Sequence, residues 1–254
     1  MVVSLAQTQL FFLALTRILA MILGVPMLGG NTIPLQIRVA LGFLLALVMI
    51  PWQPLSAAVP PMPTLVMIMA ILQEMIIGLI IGFAATLTFG AIQVAANFMG
   101  LNTGFAAGQV LNPTFGSSGS AYDSLYLIMC TLYFIALDGQ LLWLKAMGLS
   151  FQILPLHGTL PPFSVDLFLR TFATMINIGF HLSLPVVAAV VLTDVSAGLL
   201  AKVAPQVQVF FLTINIKLVM SLIGVVIAFG ITLPIMRTLF QHIGERGLLL
   251  IGVR

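Results

Sequence analysis

Residues 75–122 contain no Asp, Glu, Lys or Arg. A water-facing surface of that length is not built without charge, so the stretch must sit in an apolar surrounding or inside other protein. Its middle, Asn97 to Ala121, is nevertheless too polar and too rich in glycine to be a membrane span. A loop this long without secondary structure of its own is usually functional or disordered. Gly100, Gly104, Gly108, Gly116 and Gly119 open backbone conformations closed to other residues, while Phe105, Val110, Leu111 and Phe115 can cover an opening without holding an ion. The expectation is an uncharged, flexible stopper whose gate residues include these glycines, Phe105, Leu111, Asn112, Pro113 and Phe115.

The rest of the chain agrees with an apolar setting. It is 61% hydrophobic and 6% charged with mean hydropathy +1.23, where a soluble domain has roughly a quarter of its residues charged. This is the composition of an all-α, polytopic integral membrane protein. The net charge of +3 is scattered, so a nucleic-acid surface is excluded. The single Cys130 excludes an intrachain disulfide and a thiolate metal cluster, and reads as a packed hydrophobe. Met1 to Gln9 lacks the basic start of a cleaved signal, so Leu10 onward is expected to be a retained first span. Arg237, Arg246 and Arg254 against Glu245 alone assign the C-terminal tail to the cytoplasm.

About six long apolar helices are expected. Apolar runs near the ~20 residues a bilayer needs occur at Leu10–Leu28, Leu65–Ile92, Phe168–Leu192 and Phe210–Leu233. Leu35–Ile50 is short and carries Arg38. Tyr122–Phe151 is broken by Asp138-Gly139 into two pieces too short to span, a break tolerated only where protein or a water-filled cavity covers the freed backbone. The connectors are Gly29-Gly30-Asn31 with Pro34, Pro51 to Pro63, the uncharged loop, Pro155 to Pro162, and the amphipathic Thr193 to Gln208. The last two spans read as a hairpin module.

Arg17, Glu74, Arg170 and Lys217 lie within apolar helices, where each costs about 2.5–3.5 kcal/mol on insertion scales and so faces protein or water. Glu74, Gly78, Gly82 and Ala85 share one helical face, and Gly78–Gly82 is a GxxxG close-packing motif. Lys217, Ser221, Gly224 and Ala228 form a second stripe. Arg170, Thr174, Asn177 and His181 form a third, more polar one. Glu74 is expected to pair with Lys217 or Arg17 as assembly glue, the competing role being a proton relay. His157, His181 and His242 have no second ligand at metal spacing, and no GxSxG, HExxH or Walker sequence occurs. Asp123 and Asp138 lack the context of a catalytic dyad. No enzyme activity, cofactor or metal is expected.

Several segments in fixed order carry a family resemblance. They are Phe12-Leu-Ala-Leu-Thr-Arg17, Pro26, Gly29, Ile33-Pro34 and Arg38; then Gln93, Gly100, Gly104-Phe105-Ala106 and Asn112-Pro113; then Asp138-Gly139-Gln140, Ser150-Phe151, Leu154-Pro155, Ala204-Pro205-Gln206 and Val209-Phe210. Along nearly its whole length the chain resembles the FliR family, the T-type export-gate subunits of flagellar and virulence type III secretion. It departs at Ala96-Asn97, Asn112 and Gln140, each time losing charge or an imidazole relative to the family's usual residue, and at Gln208, where Asn is common.

The resemblance implies a flagellar export-gate component of the bacterial inner membrane and basal body. One copy would assemble with five P-type (FliP) and four Q-type (FliQ) subunits, near FlhB and FlhA and membrane lipid, and unfolded substrates would pass through. Residues 1–162 would correspond to a P-type subunit and 163–254 to a Q-type hairpin with a tail. A virulence export gate is the nearest alternative. A small-solute secondary transporter using Arg170, Asn177 and His181 is a more distant one, and a pure scaffold a third.

Overall fold

The structure, a computed structural model, describes residues 5–25, 28, 33–49, 62–103, 121–156, 164–204, 206 and 208–250. These form helices α1 (Leu5–Leu23), α2 (Leu35–Met49), α3 (Thr64–Thr103), α4 (Ala121–Ala136), α5 (Gly139–Ile153), α6 (Val165–Val203), α7 (Val209–Gln241) and α8 (Ile243–Leu250), with no strand among the described residues. α1, α3, α6 and the Phe211–Gly230 part of α7 are long and apolar enough to cross a membrane, and α4 with α5 makes a fifth candidate if taken as one bent span. α2, at 15 residues, is shorter.

Local chemistry sets the helix ends. α2 and α3 start directly after Pro34 and Pro63, whose carbonyls accept from Arg38 N and Met67 N at 3.3 and 3.0 Å. Ser164 caps α6, its Oγ accepting from Leu167 N at 3.3 Å. Between α4 and α5 the backbone turns by 66°. The turn is made by Asp138 at φ 55°, the one positive-φ non-glycine residue among those described, in a left-handed conformation that Asp tolerates better than most residues. Its carbonyl accepts from Leu141 N and Leu142 N and so starts α5. The break read from Asp138-Gly139 is therefore present.

Two boundaries differ from the sequence reading. Asn97–Thr103, expected to open the loop, is the last part of α3. The polar side chains that argued against helix there are satisfied by the helix itself: Asn102 Nδ2 donates to Phe98 O at 2.7 Å and Thr103 Oγ1 to Gly100 O at 3.1 Å. Thr193–Val203, expected to be a connector, is the end of α6. There Thr193 and Ser196 donate back to Ala189 O and Leu192 O, and Lys202 lies in the last turn, where a cation favours a helix C-terminus.

The chain divides into two compact units. The first comprises Met1–Thr88, Asp138–Thr171 and Gln241–Arg254. In it Phe11 of α1 meets Phe43 of α2 edge-to-face at 5.1 Å. α8 is seated through its glycines: a Cβ on Gly244 would collide with Ala146 of α5, and one on Gly247 would lie 2.8 Å from Ile81 Cγ2 of α3. The second unit comprises Phe89–Leu137 and Phe172–Phe240. Phe89, Phe134 and Phe240 cluster there with centroids 5.0–5.5 Å apart. α6 approaches α3 so closely that a Cβ on Gly179 would lie 2.6 Å from Ala91 O.

Candidate functional site

The first unit is organised around a buried charge. Arg17 and Glu74 are 0% and 1% exposed. Arg17 Nε donates to Glu74 Oε2, joining α1 to α3. Arg17 Nη1 donates to Ser150 O at 3.1 Å and Leu154 O at 2.7 Å. These carbonyls lie at the C-terminal end of α5, where a cation is favoured; Ser150 O also accepts from Leu154 N at 3.0 Å. The guanidinium carbon lies 4.6 Å from the Phe151 ring centroid, within cation–π range. Nη2 has no hydrogen-bond partner. One cation thus ties three helices, and the carboxylate balances it.

The small residues following Glu74 continue the same seam. A Cβ on Gly78 would lie 2.5 Å from Arg17 O and 2.7 Å from Ala20 Cβ. One on Gly24, just past α1, would overlap the backbone of Gly82. Thr86 Oγ1 donates to Gly24 O at 2.6 Å. The Glu74, Gly78, Gly82 face is thus the face α3 turns to α1. Its chemistry is that of a tie, with the carboxylate engaged by a guanidinium and closed off from solvent.

The other sequence-derived residues distribute differently. Lys217 pairs with Asp194 rather than Glu74, Nζ to Oδ1 at 2.6 Å. Ser221, Gly224 and Ala228 on its stripe are buried, and Gly224 faces Val186 of α6. Arg170 is exposed and forms an i,i+4 pair with Asp166 at 2.8 Å. Thr174, Asn177 and His181 are exposed too, so this stripe lines an outer face of α6 instead of converging on a cavity. Gly100 is buried within α3. Gly104, Phe105, Gly108, Leu111, Asn112, Pro113, Phe115, Gly116 and Gly119 lie outside the described residues.

Sequence reasoning missed four partners. Ser150, Phe151 and Leu154 stand in the sequence only as parts of a pattern, and nothing local joins them to Arg17. Asp194 was findable: it lies nine residues before the end of α6, and Lys217 eight residues after the start of α7. In an antiparallel hairpin, residues equidistant from the turn face each other.

An all-helical protein with several membrane-length helices, a buried ion pair and a glycine seam defines a polytopic helical membrane protein. Residues 8–243 match the family described as bacterial export proteins, family 1, and the chain belongs to that family. It is similar to the flagellar biosynthetic protein FliR of Bacillus subtilis (strain 168), 26% identical over 240 residues covering 91% of this chain and 90% of the relative. It is similar to FliR of Escherichia coli (strain K12), 25% identical over 228 residues and 87% of each chain. It is also similar to the secretion system apparatus protein SsaT of Salmonella typhimurium (strain LT2), 30% identical over 161 residues and 61% of each chain.

Proposed function

We propose that this chain is the T-type subunit of a flagellar type III export gate in the bacterial inner membrane. One copy assembles with five P-type and four Q-type subunits around a path for unfolded polypeptides, beside FlhB and FlhA. It is a structural subunit and not an enzyme. The observation that carries this is the match to flagellar FliR proteins over about nine-tenths of both chains. Helix length supports the assembly: α3, with 40 residues, is about 60 Å long at 1.5 Å per residue, roughly twice a ~30 Å hydrocarbon core. Large apolar side chains are exposed along it and along α7, among them Leu65 at 69%, Phe211 at 64% and Val226 at 74%. Apolar surface beyond the bilayer needs protein to cover it.

The two-part reading, 1–162 P-type-like and 163–254 Q-type-like, is supported by the α6–α7 pairing through Asp194 and Lys217. The stopper is assigned to residues 104–120, following the end of α3. The shorter match to SsaT favours a second reading, a virulence secretion gate. Deleting the gene in its host and restoring it separates the two. Lost swimming and lost export of flagellar subunits, both restored by the wild-type gene, support the flagellar gate. Normal motility with lost secretion of virulence proteins supports the second.

A further inference from the structure

We propose that the groove between α2 and α5 binds one anionic phospholipid, an acyl chain lying along its aliphatic walls and the headgroup phosphate on Lys145. The groove has a volume of about 560 Å³ and is lined by residues including Val48, Met49, Leu144, Lys145, Gly148 and Leu149, within the usual ~300–1,000 Å³ of a ligand site. Leu141, Lys145, Gly148 and Gln152 recur at helical spacing, so a single face of α5 forms one wall. Gly148 makes the floor: a Cβ there would meet only Met49 Sδ, at 3.8 Å, so the space above is free.

The cation selects the occupant. Arg17, Arg170 and Lys217 each pair with a carboxylate. Lys145 is exposed and has no ion-pair or hydrogen-bond partner among the described residues. An ammonium in an aliphatic groove of a membrane-type helix pair is costly without an anion or a route to the interface. A lipid carrying net negative charge supplies that anion, and its acyl chain fills the apolar remainder. A packing helix would have to bring a carboxylate of its own opposite Lys145. The inference uses the membrane reading of α5 and is independent of the export-gate reading, so its failure leaves that reading standing.

The test uses the full chain co-purified with its partner subunits, delipidated, and offered an equimolar mixture of phosphatidylglycerol and phosphatidylcholine under native mass spectrometry. The expected result is one phosphatidylglycerol retained per copy of this chain, preferred by about five-fold, the effect of one Lys on an anionic headgroup. Lys145→Gln removes the preference and Lys145→Arg keeps it. Gly148→Leu fills the groove and lowers retention of both lipids, whereas Gly148→Ala leaves it unchanged. Equal phosphatidylglycerol retention by wild type, Lys145→Gln and Gly148→Leu overturns the proposal. So does a photo-reactive side chain at Leu149 that captures a neighbouring subunit in place of labelled phosphatidylglycerol.

Discussion

Glu74 of α3 holds Arg17 of α1 one turn before the point where Gly78 and Gly82 bring the two backbones together, so ion pair and close packing form one seam. The charge fixes the axial register of the seam and the glycines fix its spacing. Arg17 extends it to the end of α5 through Ser150 O and Leu154 O. Segments far apart in sequence thus depend on one guanidinium.

Removing half of this pair is expected to be far more damaging than removing both halves. Glu74→Ala leaves an uncompensated buried cation, a loss of about 3–5 kcal/mol, read as a collapse in the yield of folded protein. Replacing both partners with apolar residues of similar volume, Arg17→Met with Glu74→Leu, restores most of that yield. Asp166→Ala, at an exposed pair, changes stability by no more than about 0.5 kcal/mol. A Glu74→Ala protein as stable as wild type contradicts the assignment.

Glycines of the seam and glycines in open space should respond oppositely to alanine. At Gly24 and Gly78 the added Cβ meets backbone, and overpacking of this kind costs about 1–3 kcal/mol. At Gly198 of α6 nothing lies within 4 Å of an added Cβ, so alanine gains up to about 1 kcal/mol of helix propensity. Thermal melts of the detergent-solubilised assembly give the order: Gly198→Ala at or above wild type, and Gly24→Ala and Gly78→Ala below it.

The α6–α7 hairpin carries its own register mark. Asp194 and Lys217 side chains are 46% and 21% exposed, which limits their coupling to about 1 kcal/mol or less in a double-mutant cycle and makes it salt-sensitive. The charge swap Asp194→Lys with Lys217→Asp is expected to recover the stability that either single change loses. A swap no better than the worse single variant rules out a direct pairing.

Much of this architecture is legible along the chain, because the signals are local. Asp138-Gly139 interrupts an apolar run and marks the bend. Glu74, Gly78 and Gly82 recur every four residues and mark a packed face. What sequence left open was partner choice: Glu74 had two candidate cations, and only the folded chain brings Arg17 to it across 57 positions. The misread ends, Asn97–Thr103 and Thr193–Val203, share one cause. Polarity there reads as loop or connector, but the Asn, Thr and Ser side chains bond their own helix carbonyls and cost little.

For the stopper, shortening residues 108–119 while the complex assembles normally is expected to let ions or small solutes leak across the membrane. In the proposed stopper the glycines would lower the cost of rearrangement, and Phe105, Leu111 and Phe115 would supply the apolar bulk that excludes hydrated ions in hydrophobic constrictions. Conductance in reconstituted bilayers measures it, and an unchanged barrier leaves the segment a connector.

The central claim is that this chain does its work as one subunit of a hetero-oligomeric gate, and the mass of the intact particle tests it most directly. Co-expressed with P-type and Q-type subunits, it is expected to purify as a single species holding one copy of this chain with five and four of its partners, and to aggregate or degrade when made alone. A monodisperse, folded monomer whose yield and mass do not change when the partners are present would contradict the account.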